Sequence, residues 1–179
     1  YFALFDHLHA RFNSADTKII LGPSWAHGST ARFLRNCKSR ADALGKIPIH
    51  LHTLQTPHQR AYGEWKYGKS LVAMIDELGL VDSNLVLGHA IYSTQADIER
   101  LGAARATVTH HPSCNFNMRN GIAPIPHMMA AGVTIALGLD DKGINDDEDA
   151  IMELRMVHKM HRLAGYDLAA TPAMDAFDV

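Results

Sequence analysis

The chain alternates, segment after segment, between short runs rich in β-branched residues and longer runs with helical periodicity. The strand-like runs are almost continuously apolar, which is typical of parallel strands that are covered on both faces. Five β-then-α units in succession favour an α/β fold with a parallel sheet and right-handed crossovers. The predicted strands cover residues 17–23, 47–53, 84–90, 106–112 and 133–140.

Helix signals fill most of the remaining chain. Several helical runs begin at a Ser or Thr that can act as an N-cap, and others end at a glycine. The segments 54–69 and 113–124 are predicted as loops. The predicted helices cover residues 1–12, 29–45, 70–79, 94–102, 125–132 and 147–165.

Two architectures fit this repeated unit, namely a doubly wound open sheet and part of an eightfold β/α barrel. Neither GxGxxG nor GxxxxGK[ST] follows a predicted strand, which weighs against the nucleotide-binding versions of the open sheet. The length of 179 residues is that of one domain, and we treat residues 1–179 as a single unit. Composition does not choose between the two architectures.

Charge and hydropathy exclude several classes of function. The net charge is −2, and no block of Lys and Arg offers a surface for nucleic acid or for an anionic membrane. No apolar run approaches the 18 or so residues of a membrane span. The two cysteines lie far apart in sequence, so we expect a reducing compartment such as the cytoplasm rather than a disulfide scaffold.

Polar residues cluster at the carboxyl ends of the predicted strands. In parallel α/β folds this edge of the sheet is where ligands bind and catalytic residues lie. His50 and His52 share one face of their strand because side chains alternate with a period of two. The residues that end four successive strands are His52, His89, His110 with His111, and Asp140.

Imidazoles and a carboxylate at one edge are the ligand set of Zn²⁺ or a similar divalent ion. Such an ion lowers the pKa of its bound water to about 7, which makes hydroxide available at neutral pH. A carboxylate such as that of Asp140 can take the proton of this water and deliver it to a leaving group. The residues alone therefore predict a metal-dependent hydrolase site.

Five short motifs occur in a fixed order: "LGPSWAHGST" at 21–30, "HLHTLQT" at 50–56, "LGHA" at 87–90, "HHPSCN" at 110–115 and "ALGLDD" at 136–141. In this order and spacing they resemble the carboxyl-terminal half of a protein of the metal-dependent amidohydrolase superfamily. The resemblance is to the branch of triazine hydrolases and of guanine, cytosine and methylthioadenosine deaminases. It runs from about residue 1 to about residue 165 and implies a partial (β/α)8 barrel, strands four to eight.

Carried over by motif, the resemblance assigns His52, His89 and Asp140 to the metal. It makes Asp140 the general base, and His89 either a ligand or a group that activates the substrate. It implies a divalent metal, with Zn favoured over Fe, a small ring-bearing substrate and a possible homo-oligomer. Residues expected to contact substrate are Gln55, His110, Asn115, His27, Trp25 and Met118, whereas His50 is expected to support the barrel interior and Cys114 to be a small loop residue.

Two departures from the family pattern narrow the chemistry. Gln55 stands where the deaminases carry a glutamate that moves a proton to the ring nitrogen under attack, and an amide cannot do this. We therefore expect hydrolysis of a non-peptide carbon–nitrogen bond or of a carbon–halogen bond. The alternatives are a true aminohydrolase and an inactive half-barrel or metal-binding domain.

The second departure is the absence of the family's strand-one His-x-His pair and of strands two and three. The chain also begins at Tyr1 rather than at Met, so we expect it to be a piece of a longer protein. An open barrel exposes two sheet edges. By this interpretation the chain alone is inactive or binds metal weakly.

Overall fold

The computed structural model describes residues 1–141 and 147–161. In this part of the chain, five parallel strands form one sheet in which each strand pairs with the next strand in sequence. A doubly wound sheet reverses its strand order at a switch point. The unreversed order therefore confirms the partial β/α barrel. The strands are β1 (Leu21–Trp25), β2 (Ile49–Thr53), β3 (Leu85–His89), β4 (Thr107–His110) and β5 (Thr134–Leu137).

The two faces of the sheet differ in burial. On β2, Ile49 and Leu51 are fully buried, whereas His50 and His52 between and beyond them are only half-buried. The fully buried face packs against the helices and forms the hydrophobic core. The helices are α1 (Phe2–Phe12), α2 (Ala31–Ala43), α3 (Pro57–Tyr67), α4 (Leu71–Glu77), α5 (Gln95–Ala103), α6 (Pro112–Asn117), α7 (Ile125–Ala130) and α8 (Ala150–Met160).

Two of these helices lie where the sequence predicts loops, and those predictions are wrong. Helix α3 begins at a proline, is capped by the Thr56 side chain and ends at Gly68 in the left-handed conformation. Helix α6 also begins at a proline. Proline suits the first position of a helix because its missing N–H would have no partner there. Both prolines start helices, and Pro112 also ends the preceding strand.

The ends of other elements also differ from their predicted positions. The first strand begins at Leu21 rather than at residue 17 and continues to Trp25. Its pairing with β2 shifts between Leu21 and Ser24, around Pro23, which cannot donate a hydrogen bond to a neighbouring strand. The last helix is described as far as Met160, and residues 162–165 of its predicted range lie outside the described residues.

Cys37 and Cys114 are both buried free thiols. Among the described residues, no helix combines the length and the hydrophobicity that a membrane-spanning segment requires. Cys37 packs in the hydrophobic core on helix α2, whereas Cys114 lies on helix α6, close to the carboxyl ends of the strands.

Candidate metal centre

His52 lies near the carboxyl end of β2, and a hydrogen bond of its Nδ1 atom holds the ring in place. Its Nδ1 lies 3.0 Å from the carbonyl oxygen of Ser24 on the neighbouring strand. A carbonyl oxygen only accepts hydrogen bonds, so Nδ1 carries the hydrogen and Nε2 keeps its lone pair. Ser24 has a φ of 61° at the irregular pairing beside Pro23. The irregular pairing of β1 thus occurs at Ser24, the residue whose carbonyl oxygen orients His52.

His89 ends β3 and joins the same cluster through an unusual backbone angle. The strand register pairs His89 with Thr53, whose side chain lies on the helix-covered face. Yet the His89 ring lies beside that of His52, with 5.3 Å between the ring centroids. Its φ of 69° re-aims the side chain at the end of the strand. Its Nδ1 lies 3.0 Å from Oδ1 of Asn115, which leaves the Nε2 lone pair facing inward.

Asp140 follows β5 and meets His89. Oδ2 of Asp140 lies 3.3 Å from Nε2 of His89, yet the two atoms are not aligned for a hydrogen bond, and Nε2 has no partner among the described residues. Oδ1 accepts a hydrogen bond of 2.8 Å from the Asp141 backbone N–H. Although the residue as a whole is exposed, its side chain is only 18% exposed. One carboxylate oxygen is therefore held by the backbone while the other faces His89.

His111 is a member of the cluster that was predicted to end a strand but was assigned neither to the metal nor to the substrate. Its ring centroid lies 4.7 Å from that of His89, and its Nδ1 lies 3.9 Å from Oδ2 of Asp140. Its Nε2 lies 2.8 Å from Oγ1 of Thr109. The missing side chain of Gly138 leaves room for the ring. The period-two pattern was an available signal, because Thr109 pairs with Gly88, the residue opposite His52.

Cys114 is also brought to Asp140, contrary to the expectation of a small loop residue. It lies in helix α6, is 1% exposed, and its Sγ lies 3.1 Å from Oδ2 of Asp140. One donor atom from each of His89, Cys114 and Asp140 can be chosen so that all three lie within 4.8 Å of one another. Three potential metal donors therefore converge on one point at the sheet edge.

The electrostatics of the cluster favour neutral imidazoles beside an ionised carboxylate. Burial lowers the pKa of His89, against the opposing effects of Asn115 and Asp140, and lowers the pKa of His111 to about 4. Burial acts to raise the pKa of Asp140, but the Cys114 thiol, the Asp141 N–H and the two histidines together hold it below its usual value. Burial and the nearby Asp140 raise the pKa of the Cys114 thiol to about 12.

His110 lies outside this cluster, although it was expected to shape the pocket. It follows Val108 on the fully buried face of β4, and its Nε2 lies 3.0 Å from Nε2 of His161, just after α8. Asn115 lies inside the site but contacts His89 rather than open space. His50 lies beside His52, with 5.4 Å between ring centroids, and burial lowers its pKa.

The residues expected to bind substrate lie at the rim of the same edge. The rings of Trp25 and His27 stack, with centroids 5.8 Å apart and planes inclined by 18°, and Trp25 is 51% exposed. Gln55 is half-buried after β2, and its backbone N–H donates to Oε1 of Gln59. Met118, just past α6, is 51% exposed.

The cluster fits a metal ion by its chemistry. Histidine ligands of metals commonly donate their second ring N–H to a backbone or side-chain oxygen, as His52 and His89 do here. Two ligands of tetrahedral zinc are about 3.4 to 3.6 Å apart at ordinary bond lengths. The 3.3 Å separation of His89 Nε2 and Asp140 Oδ2 matches this spacing. A lone pair that faces a carboxylate at this distance is repelled unless a positive charge lies between them.

Comparison with known proteins agrees with the motifs. A model of the amidohydrolase family matches residues 3–179. The chain belongs to the amidohydrolase family, which confirms the resemblance drawn from its five motifs.

Three individual proteins show the extent of the similarity in sequence and in fold. The 5-methylthioadenosine/S-adenosylhomocysteine deaminase of Desulfitobacterium hafniense is 29% identical over 162 residues, which cover 90% of this chain. A zinc-bound adenosine deaminase from Xanthomonas campestris superposes with a TM-score of 0.85 at 28% identity, over 89% of this chain and 36% of its own. Atrazine chlorohydrolase from Arthrobacter aurescens, complexed with zinc, shares the fold with a TM-score of 0.83 at 20% identity, over 94% and 38% of the two chains.

The chain spans only 36% of the length of the Desulfitobacterium deaminase. The matched region contains the five strands and the cluster around Asp140.

Proposed function

We propose that the protein is a metal-dependent hydrolase that acts on a small, ring-bearing compound. The bond broken is a non-peptide carbon–nitrogen bond or a carbon–halogen bond. The metal ligands in this proposal are His52, His89 and Asp140, with Asp140 and His89 also taking part in catalysis. Membership of the amidohydrolase family supports this assignment.

One observation carries the proposal. His52 and His89 each place the hydrogen of Nδ1 on an oxygen acceptor and leave Nε2 as a lone pair, and at His89 that lone pair meets the Asp140 carboxylate without a hydrogen bond. A purely structural histidine–aspartate pair would instead be joined by a hydrogen bond, because buried polar groups are nearly always paired. This arrangement supports the assignment of His52, His89 and Asp140 as metal ligands.

Zinc is the ion proposed for this site. The donor set of imidazole nitrogen and carboxylate oxygen suits it, and the adenosine deaminase of 28% identity is a zinc-bound structure. When bound, a divalent ion lowers the pKa of a water molecule that it coordinates. Iron accepts the same donors and remains the alternative.

The residues of the chain would handle the proton and the substrate. Asp140 is ionised at neutral pH, since its pKa lies below the usual value, and its carboxylate takes the proton of the attacking water and passes it to the leaving group. Asn115 fixes the ring of His89 toward the reacting atoms. The stacked pair Trp25 and His27 offers a flat surface to a ring-bearing substrate.

The side chain of Gln55 favours one kind of leaving group over another. Its side-chain amide cannot move a proton to a ring nitrogen, which favours departure of a halide or of a substituted amine over deamination. A second candidate is an aminohydrolase of a nucleobase-like or triazine-like compound. The similarity to deaminases at 29% and 28% identity supports this candidate.

The proposal is tested by the variants His89→Ala and Asp140→Ala in the longest natural form of the protein that contains this chain. Zinc content and turnover of ring compounds with amino, alkylamino and chloro substituents are measured for each. We expect both variants to lose at least ~10²-fold in turnover, whereas His7→Ala, an exposed histidine on α1, keeps it. Turnover that survives both site variants would exclude the hydrolase function.

The leaving group is identified in the same assay. Ammonia, substituted amine and chloride are measured separately for each substrate. We expect Gln55→Glu to raise ammonia release relative to the other two products, since a carboxylate can carry the proton that an amide cannot. Dominant ammonia release by the unaltered protein would favour the aminohydrolase instead.

A further inference from the structure

The Cys114 thiol occupies a position that the family motifs leave without a role. It lies on the third residue of helix α6, and the turn between β4 and α6 places it against the carboxylate of Asp140 rather than in the apolar core. Cys37 gives the contrast, because it packs among core residues. The two buried cysteines therefore lie in different surroundings.

The surroundings of Cys114 are rich in unused electron pairs. His89 is fully buried and His111 is 7% exposed, and the inner ring nitrogens of both have no hydrogen-bond partner within residues 1–141 and 147–161. Both nitrogens lie near Oδ2 of Asp140, at 3.3 and 3.9 Å. Buried acceptors without donors are costly. A cation among them removes that cost.

Sγ of Cys114 lies close enough to His89 and Asp140 to bind the same cation. The donor atoms of His89, Cys114 and Asp140 all lie within 4.8 Å of one another, and Sγ of Cys114 lies 3.1 Å from Oδ2 of Asp140, closer than Nε2 of His89 at 3.3 Å. In a tetrahedral zinc site, a sulfur and an oxygen ligand are about 3.6 Å apart. Small movements would bring Sγ to bonding distance. Nδ1 of His111 is farther from Oδ2, so Cys114 is the stronger candidate.

We propose that Cys114 binds the metal through Sγ, as an additional ligand beside His89 and Asp140. This proposal rests on the metal site of the proposed function. Binding exchanges the S–H bond for a sulfur–metal bond, the thiol proton passes to solvent, and no electron is transferred. A sulfur ligand shifts the preference of the site toward zinc and away from Mg²⁺ and Ca²⁺.

The test replaces zinc by Co²⁺ in the longest natural form of the protein that contains this chain and records the absorption spectrum, with a phosphine reductant and no added thiol. A cobalt–thiolate bond gives a charge-transfer band in the near ultraviolet that nitrogen and oxygen ligands do not give. We expect this band in the unaltered chain and in Cys37→Ser, and its loss in Cys114→Ser. Zinc affinity of Cys114→Ser is expected to fall by at least ~10-fold.

X-ray absorption at the zinc edge provides a measurement that needs no variant at Cys114. We expect one sulfur at about 2.3 Å from zinc in the unaltered chain and in Cys37→Ser. Bound metal without a sulfur neighbour, or a band that persists in Cys114→Ser, would overturn the ligand role while leaving the proposed hydrolase intact. Failure to bind either metal at saturating concentration would overturn both.

Discussion

Backbone strain is concentrated at single residues on the functional edge of the sheet. Five non-glycine residues at the carboxyl end of a strand, or within three residues of it, have positive φ angles: Ser24, Leu54, His89, Ala90 and Asp140. Each such conformation costs on the order of 1 to 3 kcal/mol and persists only where the surroundings impose it. Two of the five, His89 and Asp140, are proposed metal ligands. The side-chain directions at this edge of the sheet therefore require backbone conformations that cost conformational energy.

Gly138 is predicted to be required for the position of the His111 ring. A Cβ at residue 138 would lie 2.3 Å from Cε1 and 2.6 Å from Nδ1 of His111. We expect Gly138→Ala to displace the ring from Thr109 and to destabilise the chain by about 1 to 3 kcal/mol. Imidazole resonances in the NMR spectrum and urea unfolding measure the two effects.

Gly28→Ala is the matched control for this substitution, because its added Cβ would meet only ordinary contacts of 3.7 and 3.8 Å with Trp25. We expect it to change the unfolding free energy by less than ~0.5 kcal/mol. An unchanged His111 resonance in Gly138→Ala would contradict the steric argument.

His110 is predicted to make stability depend on pH. Burial and the neighbouring His161 lower its pKa to about 3, whereas an unfolded histidine titrates near ~6.5. Between these two pKa values, His110 therefore binds a proton in the unfolded chain but not in the folded chain. The contribution of neutral His110 to the free energy of unfolding is fully present above about pH 7. It falls by up to ~1.4 kcal/mol per pH unit as the pH decreases toward 3.

The measurement is urea unfolding of the metal-free chain, in the presence of a chelator, at several pH values. His110→Gln stays neutral at every pH, so we expect its stability to fall less steeply, by about one proton per molecule. His7→Gln, exposed on α1, should follow the unaltered chain. Equal slopes for all three proteins would show that His110 is not the titrating group.

At the scale of elements, helices α5 and α7 touch at a point that tolerates no side chain. A Cβ at Gly102 would lie 2.0 Å from the carbonyl oxygen of Ala131. We expect Gly102→Ala to separate the two helices and to destabilise the chain by about 3 kcal/mol. Chemical denaturation measures the loss.

Glu99→Ala tests the same helix on its exposed face, where Glu99 accepts a hydrogen bond from the Gln95 side chain. We expect a change of no more than ~0.5 kcal/mol, because exposed pairs of this kind contribute little. A Gly102→Ala variant as stable as Glu99→Ala would mean that the helices can move apart without loss of packing.

The sequence predicted the elements with strong periodicity and missed two short helices that begin at a proline. The sheet strands and α2, α4, α5 and α8 have apolar patterns that can be recognised locally. Helices α3 and α6 were assigned to loops because proline is read as an interruption, although it serves equally well as the first residue of a helix. Local patterns do not distinguish these two uses of proline.

At the scale of the whole molecule, the sheet has two strands at its edges. Within the described residues, β1 pairs only with β2 and β5 only with β4. Edge strands present free backbone groups that can pair with another chain. We expect the isolated chain to self-associate in a concentration-dependent manner, which sedimentation velocity measures directly.

Thr134→Lys is the accompanying variant, because Thr134 is exposed on the edge strand β5. A lysine there is expected to reduce association, as charged residues do on natural edge strands. A purely monomeric chain across the micromolar range would contradict this prediction and would indicate that the edges are already protected.

Local periodicity in the amino-acid sequence was enough to predict the five strands, most of the helices and the polar residues at the strand ends. The barrel class followed from the family resemblance of the five motifs. Which side chains meet depends on the folded chain. Alternation alone would have put His89 on the helix-covered face, and a positive φ reverses this. Asn115, His111 and Cys114 join the site, and His110 turns away to His161. Contacts between distant segments depend on backbone angles at strand ends, which residue patterns do not specify.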